Sequence, residues 1–115
     1  MHEQSLIRSL LSQVAELAER HQATQVDVIE VEVGPLSGVE TLLLQSAFEQ
    51  RPAQDLFRTT SLRIHEVPLT ASCQECRAEF ELTTFRFRCP HCSSTNVNVL
   101  RGDEIRLLTV TLQSE

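Results

Sequence analysis

Residues 73–92 read CQECRAEFELTTFRFRCPHC and contain all four cysteines of the chain. They form two Cys-x-x-Cys pairs, Cys73/Cys76 and Cys89/Cys92, with twelve residues between them. Each pair can present two thiolates from one tight turn, and a short hairpin across the intervening residues would bring the turns together. Four sulfurs then satisfy the tetrahedral preference of Zn(II) and leave no coordination position open. A closed cage of this kind is structural and has no place for a substrate water. Arg77 and Ser93 follow the pairs at places where the backbone of a metal-binding turn often needs φ > 0. That strain is small beside the roughly 10–16 kcal/mol of zinc binding in small sites.

Working outward, the residues on either side form a regular series of elements. Leu6, Ile7, Leu10, Leu11, Val14, Leu17 and Ala18 recur at helical spacing, which predicts an amphipathic helix over residues 5–20. In residues 26–33, Ile29, Val31 and Val33 alternate with Glu30 and Glu32, the pattern of a half-buried strand. Gly34-Pro35 stops it. Ser37 and Glu40 have the spacing of a capping box, with Ser37 as N-cap. The helix after them would place Val39, Leu43 and Ala47 on one row, with Leu44 and Phe48 beside them, and end before Pro52.

Leu62 and Ile64 mark a second strand over 61–67, closed by Pro68, and residues 104–112 read as a last strand. Phe80, Leu82, Phe85 and Phe87 lie between the cysteine pairs, where they can cover a module too small to build its own core. The expected fold is α+β: two helices on one face of a small mixed β-sheet, with an inserted zinc-ribbon-like module. Residues 1–68 plus 101–115 would form a discontinuous α/β domain and residues 69–100 the zinc-binding module. The crossover rule makes strands 26–33 and 61–67 parallel if they share a sheet.

Composition restricts the function. In 115 residues there are 16 acids against 10 bases, a formal charge of −6. Broad polyanion binding needs Lys and Arg to displace counterions, so the balance disfavours nucleic acid, despite a local cluster of Arg77, Arg86 and Arg88. No apolar run approaches the roughly 18 residues that span a bilayer, and Met1-His2-Glu3-Gln4 lacks the features of a secretory signal. The expected setting is the cytoplasm, where clustered thiols bind metal more often than they form disulfides.

His2 is the second candidate for chemistry. It lies one residue from the α-amine, which titrates near pH 7.7–8.0, while imidazole titrates near 6.5. With ionised backbone amides, the two can wrap a divalent ion in nitrogen, a set that suits Ni(II) or Cu(II). Glu3 adds a carboxylate, and equally an acid at the positive end of the first helix. The other histidines have plainer readings. His91 faces solvent on its turn, His21 lies at a helix end, and His65 lies on the exposed face of its strand.

The Met1-His2-Glu3 start, the turn Gly34-Pro35-Leu36-Ser37-Gly38-Val39-Glu40, the two cysteine pairs and the Gly102-Asp103-Glu104-Ile105 strand start occur together. In this combination the chain resembles the HypA/HybF family of hydrogenase maturation factors over essentially its whole length. The resemblance implies a nickel metallochaperone that delivers Ni(II) to the NiFe-hydrogenase large subunit, works with a HypB-type GTPase, and in some organisms serves urease. On the matching positions, the Met1 amine, His2 and local backbone nitrogens would hold nickel, with Glu3 as a neighbouring determinant. Cys73, Cys76, Cys89 and Cys92 would hold structural zinc.

The two sites have opposite tasks, because zinc must stay and nickel must leave. A micromolar site, worth about −8.2 kcal/mol, is one that a recipient can exceed. Two other classes are the alternatives. A zinc-ribbon adaptor binding protein or nucleic acid would explain the cysteines and leave His2 incidental. An enzyme is opposed by the lack of a Cys/His dyad, a Gly-rich phosphate loop or a deaminase His-x-Glu.

Overall fold

Ile29, Val31 and Val33 point to one side of a strand and Glu30 and Glu32 to the other, and the molecule is organised around that strand. In the computed structural model, which describes residues 2–82 and 86–114 and only the backbone of His2, β1 runs Gln25–Val33. It pairs in parallel with β2 (Ser61–Glu66), Ile29 beside Leu62 and Val31 beside Ile64. On its other side it pairs antiparallel with β6 (Ile105–Gln113). The order β2-β1-β6 is therefore a mixed sheet. Register shifts occur between Val26 and Val28 and between Glu30 and Val31. The first changes the side-chain phase, so Val26 is buried together with Ile29.

Two helices cover the apolar face. Helix α1 spans His2–Arg20 and buries Ile7, Leu10, Leu11, Val14 and Ala18. It begins three residues before the start its apolar periodicity predicts, with Glu3 in the first turn at the positive end of the dipole. It ends on Gln22, whose φ of 54° lets Ala23 N–H reach back to the Ala18 carbonyl at 2.8 Å. Helix α2 spans Thr41–Glu49 and buries Leu44, Ala47 and Phe48. A single 3-10 turn, Asp55–Phe57, carries Phe57 into the same core.

Two sequence expectations for α2 fail. Ser37 is not its N-cap: the helix starts at Thr41, and Glu40 precedes it in extended conformation without a side-chain cap. Gly38 has φ of +75° and interrupts any helix begun at Ser37. The Ser37 hydroxyl instead closes the local turn, donating to Gly34 O at 2.7 Å and accepting from Val39 N–H at 3.2 Å. Val39 lies before the helix and Leu43 is half exposed, whereas Leu44, Ala47 and Phe48 are buried, so the row of Val39, Leu43 and Ala47 does not enter the core together.

The second sheet has the order β4-β3-β5, all antiparallel, from β3 (Leu69–Cys73), β4 (Glu79–Leu82) and β5 (Val97–Arg101). It is inserted between β2 and β6 of the first sheet. Leu69, Ala71 and Cys73 of the central strand are buried. The expected hairpin between the cysteine pairs is replaced in its first arm, because β4 turns back to pair with β3. Phe80 and Leu82 are half-buried and Phe87 is exposed, so their cover over the module is partial; Phe85 lies outside the described residues.

The two sheets meet where β1 ends. A Cβ built on Gly34 would lie 2.2 Å from the carbonyl carbon of Gly102, so the backbones touch there and only hydrogen fits. Leu36 N–H donates to Gly102 O at 2.9 Å and Gly34 N–H to Glu104 O at 3.3 Å. Beside this contact, Arg101 of β5 donates to Glu32 of β1. That bond explains how a carboxylate on the outward face of the first sheet comes to be 2% exposed.

Candidate metal centre

The four cysteines come together although they lie on two separate turns of the backbone. Cys73 ends β3, Cys76 follows in the adjoining turn, and Cys89 and Cys92 flank a second turn that precedes β5. The two turns repeat one hydrogen-bond scheme. Arg77 N–H donates to Cys73 O and Ser93 N–H to Cys89 O, each at 2.9 Å. Cys73 N–H donates to Ala78 O and Cys89 N–H to Ser94 O, again at 2.9 Å. Reversing the chain this tightly requires a left-handed residue after each pair, and Arg77 and Ser93 have φ of 63° and 64°. The two positions at which the sequence suggested a need for φ > 0 are therefore the ones that adopt it.

All four sulfurs lie within 4.8 Å of one another. Cys73 and Cys92 are 3.5 Å apart and Cys76 and Cys89 3.6 Å. Zinc–sulfur bonds of about 2.3 Å give tetrahedral edges of about 3.8 Å, so the cluster fits such an ion. Backbone N–H groups support the sulfurs: Cys76 N–H points at Cys73 Sγ at 3.5 Å and His91 N–H at Cys89 Sγ at 3.4 Å. The Cys76 N–H holds the Cys73 thiol down at about 6. The Ser94 N–H works in the same sense on Cys92, but the neighbouring Cys73 sulfur and burial push that thiol up to about 12. Sulfurs this close share protons until a cation replaces them. Cys73 and Cys89 are buried and Cys76 and Cys92 exposed, so the cluster lies half in the module and half at its surface.

The amino-terminal candidates are less fully described. Met1 and the His2 side chain lie outside the described residues, while the His2 backbone opens α1. Glu3 is half-buried, and its carboxylate accepts a long hydrogen bond, 3.4 Å, from Glu40 N–H. The first turn of α1 is thereby tied to the start of α2. His91 and His21 are exposed, as their sequence positions suggest.

His65 is also on an exposed strand face, but it is not idle: its Nε2 lies 2.8 Å from Glu30 Oε1. Thr109 Oγ1 donates to the other Glu30 oxygen at 2.7 Å. The Thr109 hydroxyl and then His65 hold the Glu30 carboxyl below its ordinary range. Arg101 does the same for Glu32. The sequence signal for both contacts was the pair of acids on the outward side of β1, but their partners come from β2, β5 and β6.

Comparison with known proteins agrees over the whole length. The family model described as "Hydrogenase/urease nickel incorporation, metallochaperone, hypA" matches residues 1–112. A hydrogenase maturation factor HypA of Shewanella sp. strain MR-7 is 33% identical over 115 residues, covering 100% of this chain and 98% of the relative. Its counterpart from Shewanella oneidensis is 35% identical over 113 residues, covering 98% and 96%. Among solved structures, the solution structure of the Ni metallochaperone HypA from Helicobacter pylori superposes with a TM-score of 0.72 at 28% identity, covering 98% of each chain. A second HypA solution structure superposes with 0.76 at 29% identity, covering 100% of this chain and 98% of the other.

Proposed function

We propose that this chain, which belongs to the HypA family of hydrogenase/urease nickel-incorporation metallochaperones, takes Ni(II) as cargo at its amino terminus and passes it to the NiFe-hydrogenase large subunit. The family is one of maturation factors, not enzymes. The observation that carries the reading is the closure of the four sulfurs on one another. A cage whose positions are all protein ligands retains its ion, so a transferable ion needs another site.

Cys73, Cys76, Cys89 and Cys92 would hold Zn(II), which supplies no reaction and fixes the two turns that carry the second sheet. Nickel would be held by the Met1 amine, the His2 imidazole and local backbone nitrogens, with Glu3 beside them. The helix begins at His2, and no carbonyl of α1 can accept from its first four amides. Those nitrogens are not committed to the helix ladder. Amine and imidazole must both be deprotonated, so binding weakens as pH falls through their range. Release is by ligand exchange to a tighter recipient site.

The two sheets support a division of labour, with residues 1–68 plus 101–115 as the nickel-binding unit and 69–100 as the zinc-binding one. A HypB-type GTPase, the cytoplasm as setting and service to urease in some hosts belong to the same proposal. No described helix is long and apolar enough to cross a membrane.

The test is nickel titration of tag-free protein against His2→Ala, with zinc content and far-UV circular dichroism as controls. His2→Ala loses nickel binding and keeps zinc and fold, and an added N-terminal residue does the same by consuming the free amine. Equal nickel affinity in wild type and His2→Ala would refute the site.

A further inference from the structure

A cleft of about 630 Å³ lies between α1 and the end of α2 with the chain that follows it. That volume is within the range of about 300–1,000 Å³ in which small-molecule sites fall. Ile7, Leu11 and Ala15, one stripe of α1 at helical spacing, line it together with Ala47 of α2. Gln4, Gln50 and Gln54 add side-chain amides. The charged groups of the lining are Arg8 of α1 and Arg51 after α2, and both are cations.

Neither cation has a carboxylate partner among the described residues, where the ion pairs use His65, Arg101 and Arg106. Glu49 and Asp55 line a neighbouring hollow that shares Arg51, and neither pairs with it. In a chain with 16 acids against 10 bases, an acid-free lining with two arginines reverses the overall charge locally. Two like charges on one cleft repel, and an anion between them relieves both. The half-buried Arg51 is also fixed in place. Its Nη1 donates to Phe48 O at 2.8 Å, its Nη2 donates to Phe57 O at 2.7 Å, and its Cζ lies 4.0 Å from the centre of the Phe48 ring. A guanidinium has five N–H donors, so these two bonds leave three, on a group positioned before any ligand arrives.

We propose that this cleft binds a small amphipathic oxyanion, a carboxylate or a phosphate monoester on a short apolar body. The oxyanion takes the remaining donors of Arg51 and the guanidinium fork of Arg8. The body lies on Ile7, Leu11, Ala15 and Ala47, and the glutamine amides bond its polar substituents. Inorganic phosphate alone leaves the apolar floor wet and so gains less. The bound molecule ties α1 to the segment after α2 and stabilises the fold by mass action.

The test titrates tag-free, zinc-loaded protein at constant ionic strength with hexanoate, phenyl phosphate, inorganic phosphate and the neutral hexanamide, following backbone amide NMR shifts. It needs no nickel, so its outcome is independent of the amino-terminal site. Hexanoate or phenyl phosphate shifts the amides of Arg8, Ser12, Gln50 and Arg51 saturably, with a dissociation constant of about 1 mM, as befits so small a ligand. Whichever of the two binds more tightly identifies the oxyanion. Hexanamide and inorganic phosphate bind at least about tenfold more weakly. Arg8→Gln weakens the anion at least about tenfold, and Ser12→Phe, which crowds the lining without changing its charge, loses it. Arg20→Gln, exposed on the same helix and outside the cleft, binds like wild type. Far-UV circular dichroism of the three variants matches wild type. The proposal is overturned by the lack of a saturable shift from either organic anion up to about 20 mM, by hexanamide or inorganic phosphate binding as tightly as the organic anions, by wild-type affinity in Arg8→Gln or Ser12→Phe, or by an equal loss in Arg20→Gln.

Discussion

Replacing Gly34 by alanine adds one methyl group at the place where the two sheets meet. The new carbon would sit 2.2 Å from the Gly102 carbonyl carbon, whereas ordinary contact begins at 3.4 Å. The obstacle is backbone, so no side-chain rotation relieves it, and the strands must part by roughly 1 Å. Overpacking of this kind costs about 1–3 kcal/mol. Separation also stretches the hydrogen bonds Leu36 N–H to Gly102 O and Gly34 N–H to Glu104 O, each worth about 1 kcal/mol. The expected loss is about 3 kcal/mol, a large share of a typical stability of about 5–15 kcal/mol. Gly38→Ala is the matched comparison. Its φ is +75° and nothing lies within 4 Å of the added carbon. Only the left-handed backbone is penalised, by about 1–2 kcal/mol. Urea unfolding of the zinc-loaded proteins, followed by far-UV circular dichroism, compares the two. A Gly34→Ala protein within about 0.5 kcal/mol of wild type, or less affected than Gly38→Ala, would refute the close approach.

The Arg101 guanidinium holds the Glu32 carboxyl below its ordinary value near 4.5, so this pair stabilises the fold above that pH and the gain is lost as pH falls through the depressed value. Glu32→Gln should therefore be less stable than wild type at pH 7 and lose less on acidification below about pH 4.5; Glu30, depressed in the same direction, keeps the slope from vanishing. Parallel slopes in acid unfolding curves would contradict the pairing. For the sulfur cluster, elemental analysis of reduced protein should find one zinc per chain that survives mild chelation. Cys89→Ser should lower that content and expose the remaining thiols to a thiol reagent, while the α1 circular dichroism signal persists. Full zinc occupancy in Cys89→Ser would remove that cysteine from the ligand set.

The sulfur cluster was legible from residues 73–92 alone because ligation is mostly a local matter. A Cys-x-x-Cys turn spans four residues, and its left-handed step falls on the next residue, here Arg77 and Ser93. Helix α1 was legible because its apolar period is long, and strand β1 because Ile29, Val31 and Val33 alternate with Glu30 and Glu32. The short strands β3 and β5 were not, since five residues show little periodicity and are strands only through their partners. The start of α2 was misread because Gly38 and the Glu3 carboxylate lie outside the pattern that suggests a cap.

Residue order alone determined the metal-binding spacing and which faces are apolar, because both depend on neighbours within a few positions of the chain. Only the tertiary structure decided that Gly34 must be bare against Gly102, that Arg101 covers Glu32, and that Leu42 lies open beside β2. Those contacts join segments dozens of residues apart, and no local preference specifies which distant backbone or charge will fill the space.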